Sequence, residues 1–267
     1  MPSSKRHLVS LIIPTFKQEN TIAQDLMRIR DVLEQVRYDY EIIVVVDGMV
    51  DNTFRNAKKV ASSKIFVTGY KTNFGKGHAV RFGMAKAKGD IVGFIDAGMD
   101  LHPNGLSMLL EHFEWYNADI IVGSKLHPVS KVNYPFIRKV LSWGYRSLVR
   151  VLFGLQIKDT QVGMKFFRRK VLEDVLPRLL VKTYAIDIEV LAVAYYLGYK
   201  RIYEAPIELD FTGVSSIASK GFWQTITHML WDTAAVYYRL KILRYYDDGN
   251  KRKWKYDPEL NFRINLP

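Results

Sequence analysis

The stretch LVSLIIPTFKQE, residues 8–19, decides the class of fold. Its apolar, strand-like first half ends at Pro14, and a helical pattern follows from Thr21 to Val36. The apolar side chains of that pattern recur on one helix face and are Ile22, Leu26, Ile29, Leu33 and Val36. A dinucleotide-binding unit would have the turn G-x-G-x-x-G between such a strand and helix. Because this chain lacks that turn, we expect a doubly wound α/β fold that serves another ligand.

Strand-like runs and helical patterns continue to alternate along the chain. The runs extend over Glu41 to Val46, Ile65 to Thr68, Ile91 to Ile95, Ile120 to Val122 and Lys200 to Ala205. The helical patterns extend over Asn52 to Ser62, His78 to Lys86, Phe136 to Leu152 and Ile186 to Leu197. This order is typical of βαβ units and predicts a mostly parallel central sheet flanked by helices. No internal repeat or Pro/Gly linker interrupts the order, so we expect one catalytic domain.

Composition limits the kinds of function. The 267 residues are 48% hydrophobic, which allows one sizeable core. The chain has no cysteine, which excludes disulfides, cysteine zinc sites and thiol nucleophiles. Its start does not resemble a signal peptide and its apolar runs are shorter than the roughly 18 residues of a spanning helix, so we expect a cytoplasmic chain that does not cross a bilayer. The net charge of +12 predicts an anionic partner, such as phosphates, acidic lipid headgroups or nucleic acid.

Acidic residues follow the first two predicted strands. Asp47 comes at the end of the second strand, in the run VDGMVDNT at residues 46–53. Ligands of open α/β sheets bind at the carboxyl ends of the strands, so Asp47 is placed to contact the base or ribose of a nucleotide. A plain turn acid is the alternative for Asp47, and Asp51 has the position of a helix cap. Glu19, after the first strand, is open to a structural interpretation as an acid at a helix N-terminus.

A phosphate and a metal ion are the ligands predicted by the next two motifs. Gly75, Lys76 and Gly77 stand at a helix start in the run NFGKGHAVR, residues 73–81, where free backbone N–H groups, the helix dipole and a lysine favour a phosphate. Asp96 and Asp100 follow an apolar strand in the run GDIVGFIDAGMD, residues 89–100. Magnesium is commonly held by one or two carboxylates together with substrate phosphates. These two acids are the predicted metal ligands, with turn residues as the alternative.

The four motifs, in this order and spacing, resemble family 2 glycosyltransferases. The runs DTQVGMK at residues 159–165 and YAIDIE at residues 184–189 are similar to the polyprenyl-phosphate branch of that family, the dolichyl-phosphate glucose and mannose synthases. The resemblance covers about residues 8–212. It implies a GT-A type nucleotide-sugar-binding domain that uses a divalent cation, Mg²⁺ or Mn²⁺. One departure is the run Asp96-Ala97-Gly98, in which the second acid of the family's usual Asp-x-Asp is missing.

The resemblance implies an inverting displacement at the anomeric carbon of a nucleotide-sugar, with UDP-glucose favoured as the donor and GDP-mannose next. The implied donor-binding residues are Pro14, Phe16, Glu19, Asp47, Lys76, Asp96 and Ala97. The implied acceptor is a polyprenyl or dolichyl phosphate, and its binding residues are Lys125, Arg138, Arg150, Asp159 and Gln161. The implied catalytic residues are Asp96, Asp187, Arg138 and Arg150.

The nature of the acceptor decides which of these residues carry chemistry. A lipid phosphate is already ionised and needs no general base, so cationic groups that position it matter most, and guanidinium groups suit phosphate oxygens. For Arg138 and Arg150 the alternative is a solvated charge on a helix face. A sugar hydroxyl would need a base, and Asp187 would then take that role, with a polar anchor as the alternative.

The C-terminal residues 213–267 differ from the predicted catalytic domain 1–212, which divides into a donor half, about 1–102, and an acceptor half, about 103–212. From Phe222 to Tyr246 the pattern is helical, aromatic-rich and basic. Such an amphipathic segment is suited to the membrane surface. The alternatives are packing on the catalytic domain or in a homo-oligomer interface.

Two rival functions stay open at this point. One is a family 2 transferase that acts on a glycan or glycolipid hydroxyl, and the other is a catalytically weak homologue at the membrane surface. Nucleic acid is not an expected partner, because the basic residues show no pattern of a reading helix or a stacking sheet.

Overall fold

The computed structural model describes residues 7–98, 101–130, 136–208, 222–249, 254–258 and 262–265. The strands in these ranges are β1 (Leu8–Thr15), β2 (Asp39–Asp47), β3 (Ile65–Tyr70), β4 (Ile91–Ile95), β5 (Ile120–Ser124), β6 (Met164–Arg168), β7 (Ile202–Pro206), β8 (Trp254–Asp257) and β9 (Phe262–Asn265). The α-helices are α1 (Ile22–Leu33), α2 (Thr53–Lys58), α3 (Lys76–Lys86), α4 (Gly105–Trp115), α5 (Phe136–Phe153), α6 (Arg169–Val175), α7 (Ile186–Tyr196) and α8 (Phe222–Tyr237).

Seven strands form one sheet in the order β3-β2-β1-β4-β6-β5-β7. The pairs β2–β3, β1–β2, β1–β4 and β5–β7 are parallel. β6 is antiparallel to both of its neighbours, β4 and β5. The prediction of a mostly parallel α/β sheet flanked by helices is therefore confirmed, and the reversed strand β6 is an addition to it. Because β1, β2 and β4 are parallel, their carboxyl ends lie at the same edge of the sheet.

Each face of the sheet is covered by its own layer of helices. Leu11 and Ile13 of β1 pack with Leu26 and Ile29 of α1, in a cluster that also contains side chains of α4. Ile12, which lies between those two strand residues, packs in the other cluster with α3, α6 and α7. Successive residues of a strand face opposite sides of the sheet. A strand covered on both sides must be apolar almost throughout, as β1 is.

The described part of the C-terminal segment is packed into one of these layers. The side chains buried in the same cluster as α3 and α7 are Val236, Leu240 and Tyr246. The hydroxyl of Tyr246 donates to the carboxylate of Glu189 on α7 (2.7 Å), and the buried Arg178 donates through Nε to the backbone oxygen of Tyr246 (2.8 Å). These contacts are of the kind expected if the segment packs on the catalytic domain. Its separation as a membrane-surface segment over 213–267 stays a prediction.

Among the helices that the structure describes, none is both long enough and apolar enough to span a bilayer.

Candidate active site

A cavity of about 710 Å³ opens where β1, β2 and β4 end. Its walls come from the ends of these strands and the residues after them, the loop from β3 into α3, the loop before α7 and one face of α8. The described residues that line it are Pro14, Thr15, Phe16, Gln18, Asp47, Asn73, Gly75, Lys76, Ala79, Asp96, Ala97, Thr183, Tyr184, Ala185, His228, Met229 and Asp232. This is the edge at which open α/β sheets bind ligands. The cavity brings together all the predicted donor-binding residues except Glu19.

Glu19 lies at the start of a helix instead. Its carboxylate accepts hydrogen bonds from the backbone N–H of Asn52 (3.0 Å) and from the side-chain amide of the same residue (3.1 Å). Asp51 lies one residue before the N-cap, Asn52, and accepts a hydrogen bond from the N–H of Thr53 (2.9 Å). Both acids therefore accept hydrogen bonds from backbone N–H groups at the N-terminus of α2. A contact of Glu19 with the donor stays a prediction.

Asp47 organises the loop that leads into α3. Its carboxylate accepts hydrogen bonds from the backbone N–H groups of Phe74 (2.8 Å) and Gly75 (2.9 Å) and from the amide of Asn73 (3.0 Å). The side chain is buried, and both of its oxygens are engaged. Its effect in this structure is to hold the loop that carries Lys76, and its contact with a nucleotide stays a prediction.

The first N–H groups of α3 are not free. Those of Gly77 and His78 donate to the carbonyl oxygen of Lys182 (2.8 and 3.3 Å). Gly75 has a φ of 100°, and a Cβ at this position would lie 2.5 Å from the same oxygen. The loop before α7 thus occupies the N–H groups of Gly77 and His78, and the binding of a phosphate at this helix start stays a prediction. Gly75 and Lys76 are the residues of that motif that line the cavity.

Four charged side chains form a continuous network beside the cavity. The ammonium of Lys76 lies 2.9 Å from the carboxylate of Asp96 and 3.0 Å from that of Asp187. Asp187 also accepts a hydrogen bond from the fully buried Lys165, which in turn donates to the carbonyl oxygen of Val162. The order Asp96–Lys76–Asp187–Lys165 alternates in sign, so each buried charge has an opposite neighbour.

The network keeps Asp187 ionised. Burial alone would raise the pKa of Asp187, but Lys165 and Lys76 outweigh burial and lower it below its ordinary value. Burial would also lower the pKa of Lys76, yet Asp187 and Asp96 hold it above its ordinary value. A carboxylate with a lowered pKa is a weak proton acceptor. Asp187 therefore has the contacts of a polar anchor, and its role as a base stays a prediction.

Gly163 fixes the position of the Asp96 carboxylate. The N–H of Asp96 donates to the carbonyl oxygen of Gly163 (2.8 Å), next to the antiparallel pairing of β4 with β6. A Cβ at Gly163 would lie 1.9 Å from Oδ2 of Asp96, so only glycine leaves room for the carboxylate. Lys165 lies two residues further along on β6. The run that contains both residues was recognisable in the sequence, but their roles were not, since these depend on the reversed strand.

Asp96 is also the residue that fits a divalent cation. Its side chain is 41% exposed and lines the cavity, so one carboxylate faces space that a diphosphate could share, as magnesium sites commonly require. The described residues contain no group of three His, Asp or Glu side chains arranged to hold a metal. Asp100, the other predicted ligand, lies outside the described residues. A cation at Asp96 would compete with the ion pair to Lys76.

The predicted acceptor-binding residues do not line the cavity in the part that the structure describes. Asp159 accepts a hydrogen bond from the N–H of Lys125 (3.1 Å), so it holds the end of β5. The amide nitrogen of Gln161 is buried without a hydrogen-bond partner. Arg150 is exposed on α5, and Arg138 belongs to the same helix, but its side chain lies outside the description. The structure thus joins Lys125 and Asp159, and the acceptor roles stay predictions.

One wall of the cavity was missed by the sequence analysis. His228, Met229 and Asp232 of α8 line it, and the hydroxyl of Thr183 donates to the carboxylate of Asp232 (2.7 Å). The spacing of His228 and Asp232, four residues apart, puts both side chains on one helix face. That spacing was visible in the sequence, but nothing in it indicated which face turns towards the sheet edge.

An α/β sheet with a strand-end carboxylate and a lysine in one cavity fits the class of nucleotide-sugar glycosyltransferases. The chain belongs to glycosyl transferase family 2, whose family model matches residues 10–176. It is similar to a dolichyl-phosphate beta-glucosyltransferase of Trichomonas vaginalis, with 32% identity over 88% of this chain and 75% of the relative. A dolichyl-phosphate beta-glucosyltransferase of Drosophila melanogaster is 31% identical over 80% of this chain and 70% of the relative. The predicted enzyme class and its resemblance to the polyprenyl-phosphate branch are confirmed.

The fold is shared with a solved glycosyltransferase. The crystal structure of glucosyl-3-phosphoglycerate synthase from Mycobacterium tuberculosis, in complex with Mn²⁺, UDP and phosphoglyceric acid, superposes with a TM-score of 0.63 at 20% identity. The match covers 98% of this chain and 87% of that one. The predicted GT-A type fold is therefore confirmed.

Proposed function

We propose that the protein transfers glucose, with inversion, from UDP-glucose to dolichyl phosphate or a related polyprenyl phosphate. The observation that carries this choice of acceptor is the state of Asp187. It is tied to Lys76 and Lys165, and the pKa of Asp187 lies below its ordinary value because these cations outweigh burial. Asp187 is the only predicted base, and its ion pairs make it a weak proton acceptor. The site therefore suits an acceptor that is already ionised when it binds.

The displacement needs no proton acceptor when the nucleophile is a phosphate oxygen. That oxygen forms a bond to the anomeric carbon, while the bond from this carbon to the diphosphate breaks and UDP leaves. A divalent cation bound at Asp96, such as Mg²⁺ or Mn²⁺, would neutralise charge on the departing diphosphate. Lys76, beside Asp96, supplies a positive charge at the same place. Arg138, Arg150 and Lys125 are the cations proposed for the lipid phosphate.

The sugar and the lipid are proposed from the relatives. Both relatives described above are named dolichyl-phosphate beta-glucosyltransferases, which favours glucose over mannose. The test is transfer from labelled UDP-glucose, GDP-mannose or UDP-N-acetylglucosamine to dolichyl phosphate in detergent micelles with Mn²⁺. We expect labelled lipid from UDP-glucose, and none from Asp96→Asn protein with an unchanged melting temperature. Labelled lipid from GDP-mannose alone would reassign the donor, and no lipid product from any donor would contradict the proposed function.

We also propose that the protein acts as a peripheral protein on the cytoplasmic face of a membrane. Exposed apolar side chains on α8 and on the short π-helix that follows it, Tyr238–Ile242, support this. They are Leu230, Trp231, Tyr238, Ile242 and, at the end of the π-helix, Leu243. The exposed Lys241 lies among them. Basic and aromatic side chains together favour an anionic lipid surface. The alternative is that this surface binds a second copy of the chain in a homo-oligomer.

Trp231→Glu tests the membrane proposal. Trp231 is 77% exposed on α8, and Trp115 is 87% exposed on α4, which covers the other face of the sheet. We expect Trp231→Glu to reduce co-sedimentation with anionic liposomes at low salt, whereas the matched change Trp115→Glu leaves it unchanged, because a charge opposes insertion only where the surface meets lipid. Equal binding by both variants and the wild type would contradict a membrane role for α8.

A further inference from the structure

The cavity contains a carboxylate with no role in the proposed transfer. Asp232 lines the cavity from α8 and accepts one hydrogen bond, from the hydroxyl of Thr183 (2.7 Å). The matching family model ends at residue 176, so this wall is contributed by a part of the chain beyond it. The predicted donor-binding residues in the lining come from the ends of β1 and β2, the residues after β1 and β4 and the start of α3.

Charge decides what Asp232 is suited to bind. A carboxylate repels the diphosphate of a nucleotide, and the described residues offer no group of three acids or histidines that would make Asp232 part of a metal cage. The uncharged, hydroxyl-bearing parts of a nucleotide-sugar are its ribose and its hexose, and Asp47 is the predicted contact for the nucleoside part, which leaves the hexose for Asp232. Hydrogen bonds from hydroxyls to a carboxylate are charge-assisted and among the strong ones.

The neighbours of Asp232 agree with a hydroxyl-rich ligand. Thr183 and Tyr184, on the loop before α7, line the same cavity, and Tyr184 is 68% exposed. His228 lies one helical turn before Asp232 on the same wall. An exposed aromatic ring beside a carboxylate, a hydroxyl and an imidazole provides both an apolar surface and hydrogen-bonding groups, and a hexose presents CH groups and hydroxyls to match them.

We propose that Asp232 binds hydroxyl groups of the donor hexose and so helps to determine which sugar is accepted. The inference rests on the proposed function, because it takes the cavity to hold a nucleotide-sugar. In that role Asp232 adds affinity for the nucleotide-sugar and none for the nucleotide alone. Its bond to Thr183 sets the direction of the carboxylate.

The test compares the dissociation constants of UDP and UDP-glucose, each with Mn²⁺, by calorimetry on the full chain. We expect Asp232→Asn to weaken the binding of UDP-glucose about tenfold or more, because the variant loses hydrogen bonds between sugar hydroxyls and a charged group. The dissociation constant of UDP should stay unchanged. The matched control is Asp247→Asn, which removes a carboxylate bound to Tyr196 outside the cavity lining and should change neither constant. Equal weakening of UDP and UDP-glucose by Asp232→Asn would overturn the inference.

Thr183→Val distinguishes sugar binding by Asp232 from a purely structural role of the hydrogen bond between Thr183 and Asp232. If Asp232 acts only by holding the loop before α7, Thr183→Val will weaken UDP-glucose as much as Asp232→Asn does, and the inference is overturned. We expect the valine variant to lose clearly less UDP-glucose affinity than Asp232→Asn does, because the carboxylate is still present. Failure of the proposed function would appear in the wild type instead, as an absence of UDP-glucose binding or of transfer. Equal dissociation constants of UDP and UDP-glucose for the wild type would overturn the inference directly.

Discussion

The residues around Asp96 show how one site depends on several strands. Asp96 comes from the end of β4, its ion-pair partner Lys76 comes from the start of α3, and the room for its carboxylate comes from Gly163 beside β6. Each contribution alone is an ordinary turn feature. Asp96 has a fixed position at the cavity because β4, Lys76 and Gly163 come together there.

Gly163→Ala should abolish transfer. The added Cβ would fall 1.9 Å from Oδ2 of Asp96, so the carboxylate must move, and a misplacement of about 1 Å can cost on the order of a hundredfold in rate. Transfer rate and melting temperature are the measurements. Gly144→Ala is the control, because a Cβ there meets nothing within 4 Å and alanine favours the helix. Full activity of Gly163→Ala would show that the position of Asp96 is not critical.

Asp187→Asn should lower stability in a pH-dependent way. Lys165 and Lys76 outweigh burial and hold the pKa of Asp187 below its ordinary value of 3.8. Its ionised form therefore stabilises the fold fully above that value, and the contribution is lost as pH falls further towards the pKa of the folded state. We expect the gap in melting temperature between wild type and variant to be large at about pH 7 and to narrow at about pH 3. A gap that widens on acidification would contradict this account of the network.

At the scale of elements, the C-terminal segment is the part that sequence patterns described least well. Its basic and aromatic composition indicated a membrane-surface helix, but composition does not tell which face is covered. Val236 on α8 is buried against the core, as are Leu240 and Tyr246 after this helix, while Trp231 of α8 is exposed. One helix therefore contributes to the core, to the cavity wall and to the outer surface.

Tyr246→Phe tests the attachment of this segment. The change removes the hydroxyl that donates to the buried Glu189 (2.7 Å) and leaves that carboxylate with one bond fewer. We expect the free energy of unfolding to fall by about 1.5 to 3 kcal/mol, the range for hydrogen bonds to charged groups. Chemical denaturation measures it, with Tyr203→Phe on the exposed edge of β7 as the control. Equal stability of both variants would indicate that the segment is not held through Tyr246.

At the scale of the whole molecule, the sequence predicted the sheet and the cavity because both follow from local pattern. The strand-end positions of Asp47 and Asp96 indicated the ligand-binding edge, and Lys76 followed from the Gly-Lys-Gly turn. The reversed strand β6, the contact of Lys182 with the start of α3 and the α8 wall were not predictable in the same way. Strand β6 pairs with β4 across 69 to 77 positions in the sequence, Lys182 contacts the start of α3 across more than a hundred, and the wall depends on the orientation of α8.

The central claim is that the acceptor is a lipid phosphate and that no protein base takes part. The measurement is the rate of glucose transfer from UDP-glucose to dolichyl phosphate and to dolichol of the same chain length, with Mn²⁺, at several pH values. We predict transfer to the phosphate alone, at a rate nearly constant from about pH 7 to about pH 8, where a phosphate monoester is already mostly ionised. Comparable transfer to dolichol, with a rate that falls on acidification as a base is protonated, would contradict the account.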